Sequence, residues 1–225
     1  MSIGEGSLKA VSVSVGLATG IYGISFGALS VTAGFDLWQT MALSILMFSG
    51  GSQFAFVAVF ATGGTSALPA AITSAWLVGV RNGFYALSMA PKLGPRGLIR
   101  VLAAQLTIDE STAVSTSRES EDEQRKGFWY TGIAVFVFWN LATIFGALIG
   151  SVLSDPRVFG LDAAAAAALF ALVWPRIQQA VGALIAAAAI VCSTLLSSLL
   201  PSGFPVLLGA GLAVALGFWL ERHKQ

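Results

Sequence analysis

The sequence predicts an all-α, polytopic membrane protein, and three observations carry that prediction. Of 225 residues, 56% are hydrophobic and only 10% are charged, whereas a soluble domain carries about 25% charged residues. Mean hydropathy is +0.82. The apolar residues gather in uncharged runs, and about 20 residues of helix span a bilayer core. Such a composition excludes a soluble enzyme and a disordered chain. A net charge of +1 leaves no basic stripe for nucleic acid. The chain has one cysteine, Cys192, and one histidine, His223. No internal disulfide, His/Cys metal cluster or Ser–His hydrolytic pair is available, so no metal, cofactor or enzymatic activity is expected.

Ala10 to Ala33 is an uncharged run, too long for a cleaved leader, and reads as a retained first helix. Leu37 to Thr62 reads as a second crossing, interrupted by Ser49-Gly50-Gly51-Ser52-Gln53. Ser66 to Pro91 is the third, with Arg81 and Asn82 inside it. Between Val101 and Ser117 the apolar part is too short to cross lipid, which predicts a partial or re-entrant helix. Arg118 to Gly127 reads as a polar loop. Phe128 to Leu153, Gly160 to Trp174, Ala180 to Leu200 and Phe204 to Leu220 complete seven crossings. With the N-terminus outside, most Lys and Arg residues fall inside and only Lys9 and Arg157 fall outside, as the positive-inside rule prefers.

Phe26-Gly27-Ala28-Leu29 recurs as Phe145-Gly146-Ala147-Leu148, and Gly34-Phe35-Asp36 recurs as Gly160-Leu161-Asp162. These ordered matches divide one transmembrane domain, 1–225, into halves 10–117 and 128–220 around the polar loop 118–127. With three crossings in the first half, the second starts in the opposite orientation. That is an inverted-topology repeat of the kind secondary transporters use.

Several motifs are candidates for chemistry. Gly16, Gly20, Gly23 and Gly27 line one face of the first helix. They serve close helix packing, or Gly23 and Gly27 form a smooth wall of a substrate path. Gly50, Gly51, Ser52 and Gln53 mark an unwound helix in mid-membrane, where freed backbone groups need partners. N–H groups at a half-helix start favour a carboxylate, and the competing reading is a packed kink. Arg81 lies eleven residues before Lys92, about 16 Å along a helix. It either snorkels to the interface or acts as a functional intramembrane charge with Asn82 and Tyr85. Asp109 and Glu110 follow Thr107, so Thr107 and Glu110 form a capping box, or one carboxylate takes up and releases a proton inside a low-dielectric cavity. Asp36 and Asp162 read as caps at helix starts.

Phe26-Gly27, Gly51-Ser52-Gln53-Phe54, Arg81 with Tyr85, Asp109-Glu110, and Gly160-Leu161-Asp162 followed by Leu169-Phe170 together resemble the AzlC family. These are large subunits of two-component branched-chain amino-acid exporters. The resemblance runs over most of the chain. It departs at Ile21-Tyr22, where a proline is expected, and at Asn82, where family members often have histidine. The resemblance implies a multi-pass protein of the inner cell membrane that exports leucine, isoleucine and valine, with methionine or toxic analogues as further substrates. It also implies a small AzlD-type membrane subunit as partner and coupling to the proton gradient. On this reading Gly50, Gly51, Ser52, Gln53, Arg81, Asn82, Tyr85, Gly23 and Gly27 bind a small amino acid, and Asp109 or Glu110 couples the proton. A channel or a non-transporting scaffold subunit is the alternative that the residues leave open.

Overall fold

A computed structural model describes residues 5–94, 96–152, 170, 174, 177–200 and 204–222. Gly160-Leu161-Asp162, Pro175-Arg176 and nearly all of the Gly160–Trp174 run lie outside the described residues. The described chain is helical throughout. The helices are α1 (Glu5–Thr32), α2 (Leu37–Leu46), α3 (Gly50–Gly63), α4 (Leu68–Leu93), α5 (Gly97–Gln105), α6 (Asp109–Thr116), α7 (Glu121–Val152), α8 (Ala180–Leu196) and α9 (Phe204–Arg222). The all-α membrane class holds. Among the described residues three apolar segments are long enough to cross a membrane: Gly6–Thr32, Gly50–Leu93 and Glu121–Val152.

Helices α1 and α7 lie side by side and run in the same direction. Ser12 Oγ bonds Thr131 Oγ1 at 2.9 Å. Further along, Gly16 faces Ala134, Gly20 faces Phe138, Gly23 faces Trp139, and Gly27 faces Thr143 and Ala147. From the other side Gly146 faces Ile24 and Gly150 faces Ala28. Both numberings rise together, which only parallel helices allow. A Cβ on Gly20 would lie 2.9 Å from that of Phe138, and one on Gly27 would run into the Thr143 carbonyl. This is small-residue packing, in which backbones approach because side chains are missing.

The parallel arrangement corrects the expected repeat. Helices at the head of 10–117 and 128–220 have the same orientation, not opposite ones. The Phe-Gly-Ala-Leu match has a local cause, since both copies sit in the α1–α7 contact and meet the same demand for small residues.

Inversion is present, with a shorter period. Chain direction through α2 and α3 follows from their neighbours. Thr40 on α2 bonds Ser30 near the end of α1 at 2.8 Å. Ser44 bonds Thr143 at 3.3 Å, and Phe48 packs on Phe136 with ring centres 5.0 Å apart. The chain therefore descends into the middle of the bundle. It turns at Met47–Ser49 and climbs back, with Phe54 beside Phe26 and then Phe60 beside Phe35. Leu37–Thr62 is thus a re-entrant hairpin, not one crossing. Its two arms are about 15 Å and 21 Å long at 1.5 Å per residue, each too short for a core of about 30 Å.

Gly64, with φ +57, opens a 3-10 turn over Gly64–Ala67, and the chain reverses. Gly79 of α4 packs on the Ser52 hydroxyl of α3, so α4 runs antiparallel to α3 and to α1. Its 26 residues extend about 39 Å and cross fully. Gly94 in the left-handed region caps α4. Then α5 rises inward until Gln105 Nε2 donates to Ile45 O at 2.5 Å and Leu106 covers Gly132. Helix α6 returns, with Val114 on Gly127 and Ser115 Oγ donating to Gln124 O at 2.8 Å. This second hairpin is the re-entrant element expected at Val101–Ser117. A long helix followed by a hairpin, α1–α3, thus repeats upside down as α4–α6.

Two further expectations change. The polar loop 118–127 is largely helix. Glu121, Asp122 and Glu123 occupy the first turn of α7, where the helix dipole favours acids, and Lys126 pairs with Asp122 at 2.7 Å. The basic residues also regroup. Lys9 Nζ lies over Tyr130 near the start of α7, and Arg125 Nη2 donates to Lys92 O at 3.4 Å. Lys9, Lys92, Arg125 and Lys126 therefore share one end of the bundle, whereas no Lys or Arg occurs from Ala10 to Val80. Lys9 is not on the opposite face. Helices α8 and α9 form an antiparallel pair, tied by Ser193 Oγ donating to Pro205 O at 3.0 Å, and α9 packs against α4.

Candidate functional site

The two hairpin tips come from opposite ends and meet in the middle. Each tip is built from its own sequence. At the first, Gln53 is fully buried and its Nε2 donates to the carbonyls of Leu43, Ser44 and Met47 at 3.3, 3.2 and 2.8 Å. It caps the end of α2. Ser49 and Ser52 share a hydroxyl–hydroxyl bond of 3.1 Å. At the second tip, Ser111 Oγ accepts from Ile108 N at 3.2 Å and donates to Leu106 O at 2.6 Å. Ser52 and Ser111 occupy the same position, third in the outgoing helix of each hairpin. Thr107 makes no box with Glu110; its hydroxyl donates to Ala103 O at 2.7 Å. Asp36 does cap α2, in a reciprocal pair with Gln39.

A cavity of about 250 Å³ lies between the tips. Ser49, Gly50 and Gly51 line it from the first hairpin, and Ile108, Asp109 and Glu110 from the second. Ser49 precedes α3 in extended conformation and makes no side-chain cap, so the first-turn N–H groups of α3 lack intrahelical acceptors. The equivalent first turn of α6 carries two carboxylates. One tip is bare backbone with positive dipole character; the other is acidic.

Arg81 and Asn82 enter from α4. Arg81 Nη2 pairs with Asp109 Oδ2 at 2.7 Å, so Arg81 is engaged inside the bundle and not beside Lys92. Thr19 of α1 donates to Glu110 Oε1 at 3.5 Å. Phe48, Phe54, Val135 and Trp139 supply apolar walls. Trp139 is 3% exposed, and its ring lies over Gly50, where a Cβ would be 2.9 Å from Cη2. It stacks on Phe26 and meets Phe54 edge-on. Three buried polar atoms on lining residues have no protein partner: Trp139 Nε1, Arg81 Nε and Asn82 Oδ1. Buried polar groups are normally bonded; these three are not.

Of the residues singled out in the sequence, Gly50, Gly51, Arg81, Asn82, Asp109 and Glu110 come together here. Ser52 and Gln53 lie behind the wall as parts of the tip, and Tyr85 is one turn beyond. Gly23 and Gly27 face α7 instead of the cavity, because their missing side chains admit its backbone. Sequence reasoning passed over Thr19, Phe48, Val135 and Trp139, and named Tyr22, Ser49 and Phe54 only within motifs, without a role at the site. Trp139 carried a signal, since tryptophan favours membrane interfaces and this one sits mid-helix in α7.

Comparison with known proteins gives concordant results. The AzlC family, described as AzlC protein, matches residues 14–153. An "Uncharacterized membrane protein" of Helicobacter pylori (strain ATCC 700392 / 26695) is 25% identical over 142 residues, which are 62% of this chain and 61% of that protein. The chain thus spans less than two thirds of that relative's length. No solved structure matches. The family match covers the whole assembly of both hairpins and the helices that hold them, and the chain belongs to the AzlC family.

Proposed function

We propose that this chain is the large subunit of a transporter that exports leucine, isoleucine and valine across the inner cell membrane, working with a small AzlD-type membrane subunit. The single observation that carries the reading is the pairing of unlike hairpin tips. A bare half-helix start, Gly50–Gly51, faces a half-helix start bearing Asp109 and Glu110 across one small cavity. The first suits a carboxylate and the second a cation, which is the charge pattern of an amino acid. The volume is below the roughly 300–1,000 Å³ of drug-sized sites, as a single amino acid requires. Phe48, Phe54, Val135 and Trp139 accept an apolar side chain.

Arg81 is the gate. Asp109 holds it in the cavity lining at 2.7 Å, where it is also a countercharge for the substrate carboxylate. The end bearing Lys9, Lys92, Arg125 and Lys126 faces the cytoplasm by the positive-inside rule. Coupling uses an acidic group of the second tip. Vesicles reconstituted with both subunits test the reading. Saturable leucine or valine efflux that needs the small subunit is expected, and glutamate serves as control. Absence of such efflux refutes export; efflux that never saturates identifies a channel.

A further inference from the structure

The charges around the cavity do not balance. Its lining contains one cation, Arg81, and two carboxylates, Asp109 and Glu110. Arg81 and Asp109 neutralise each other at 2.7 Å. Glu110 has the Thr19 hydroxyl at 3.5 Å, a hydrogen bond from its own backbone N–H and some attraction from Arg81, but no ion pair of its own. The groups facing it can be named element by element. Helix α1 offers Thr19 and Tyr22, α4 offers Arg81 and Asn82, α6 itself offers Asp109, and α7 offers Val135 and Trp139, neither titratable. Among the described residues no second cation lines the cavity. An ionised carboxylate that is partly buried, as Glu110 is, gains from a counter-charge, and the start of α6 supplies only a partial one.

We infer that Glu110 takes the substrate's ammonium group and the coupling proton in turn, so that each excludes the other. This rests on the transporter reading above and assigns the two carboxylates different tasks: Asp109 holds Arg81, and Glu110 carries the exchange. When the ammonium arrives, a protonated Glu110 releases its proton to the surrounding water, and the O–H bond is replaced by an N–H···O contact. When the proton returns, the ammonium loses its partner and leaves. In a carrier that exposes the site alternately to the two sides and reorients only when one cation is bound, one group with two mutually exclusive cations makes substrate and proton move in opposite directions. The buried Trp139, which lines the same cavity and whose N–H has no protein partner, offers the substrate carboxylate a donor while the ammonium meets Glu110.

The test compares leucine with 4-methylpentanoate, which is leucine without its amino group, on the purified complex of this chain with the small subunit. Calorimetry in two buffers of different ionisation enthalpy counts the protons released. The expected result is up to one proton released per leucine and none per 4-methylpentanoate. Leucine affinity should fall about tenfold per pH unit on the acid side of the transition. In Glu110→Gln, leucine binding should weaken about tenfold or more and lose its pH dependence, while 4-methylpentanoate binding is retained. Leucine that binds the unaltered protein without releasing a proton, or a Glu110→Gln protein with an unaltered pH profile, overturns this inference and leaves the transporter reading standing. No leucine binding to the unaltered protein overturns both.

Discussion

Arg81 of α4 and Asp109 of α6 are joined by a 2.7 Å ion pair that bridges a full-length helix to the tip of a re-entrant one. The pair lies within the cavity lining, where removing one partner leaves a charge uncompensated. Such losses cost about 3–5 kcal/mol in buried sites, and less here because both side chains are partly exposed. Arg81→Ala should therefore abolish saturable efflux and lower the midpoint of thermal unfolding. Arg81→Lys should restore the charge and only part of the efflux, since an ammonium does not reproduce the guanidinium fork. Efflux equal to that of the unaltered protein in Arg81→Ala would remove the residue from the gate.

Gly50 and Trp139 form a second coupled pair. A methyl group at Gly50 would press on the indole at 2.9 Å, and Phe26 and Phe54 hold that indole in place. Gly50→Ala should weaken leucine binding about tenfold or more, since overpacking of this kind costs about 1–3 kcal/mol. Gly50→Ala combined with Trp139→Phe should recover part of the loss. Ligand-dependent thermal stabilisation, with leucine as ligand, measures both. Additive losses in the double variant would show that the two residues do not touch in the working site.

The glycine stripe of α1 predicts a graded effect on stability. Gly27→Ala places a methyl group into the Thr143 carbonyl, whereas Gly6→Ala meets nothing within 4 Å. The first should destabilise by about 1–3 kcal/mol and the second should be nearly neutral. Thermal unfolding in detergent compares them. Equal midpoints would mean that α1 and α7 do not approach as closely as described.

Re-entry has a direct topological consequence. In a Cys192→Ser background, Trp38→Cys and Thr65→Cys should react with an impermeant thiol reagent from the same side of the membrane. Both positions are exposed and flank the first hairpin. Leu98→Cys and Glu119→Cys, flanking the second, should react from the other side. Labelling of Trp38→Cys and Thr65→Cys from opposite sides would restore Leu37–Thr62 as a crossing.

Much of the candidate site was legible in the sequence because its signals are local and costly. Charges and adjacent glycines are rare inside apolar runs, and Gly50, Gly51, Arg81, Asp109 and Glu110 stood out for that reason. The roles of Ser52, Gln53, Gly23 and Gly27 were not legible. A side chain that lines a cavity and one that braces the wall behind it have the same composition and spacing. Gln53 is told apart only by the three carbonyls that converge on its amide nitrogen.

By itself the sequence determined that this chain is helical, that it lives in lipid, and which residues break the pattern. Those properties follow from side-chain transfer energies and backbone satisfaction, which act residue by residue. Direction was decided by tertiary structure alone. An apolar run has the same hydropathy whether it crosses once or doubles back, so in Leu37–Thr62 the Ser49–Gln53 interruption marked a break without telling a broken crossing from a hairpin. The parallel course of α1 and α7, and the inversion of α1–α3 into α4–α6, exist only as pairings such as Ser12 with Thr131 and Thr40 with Ser30. Such pairings join residues distant along the chain, and no local preference encodes them.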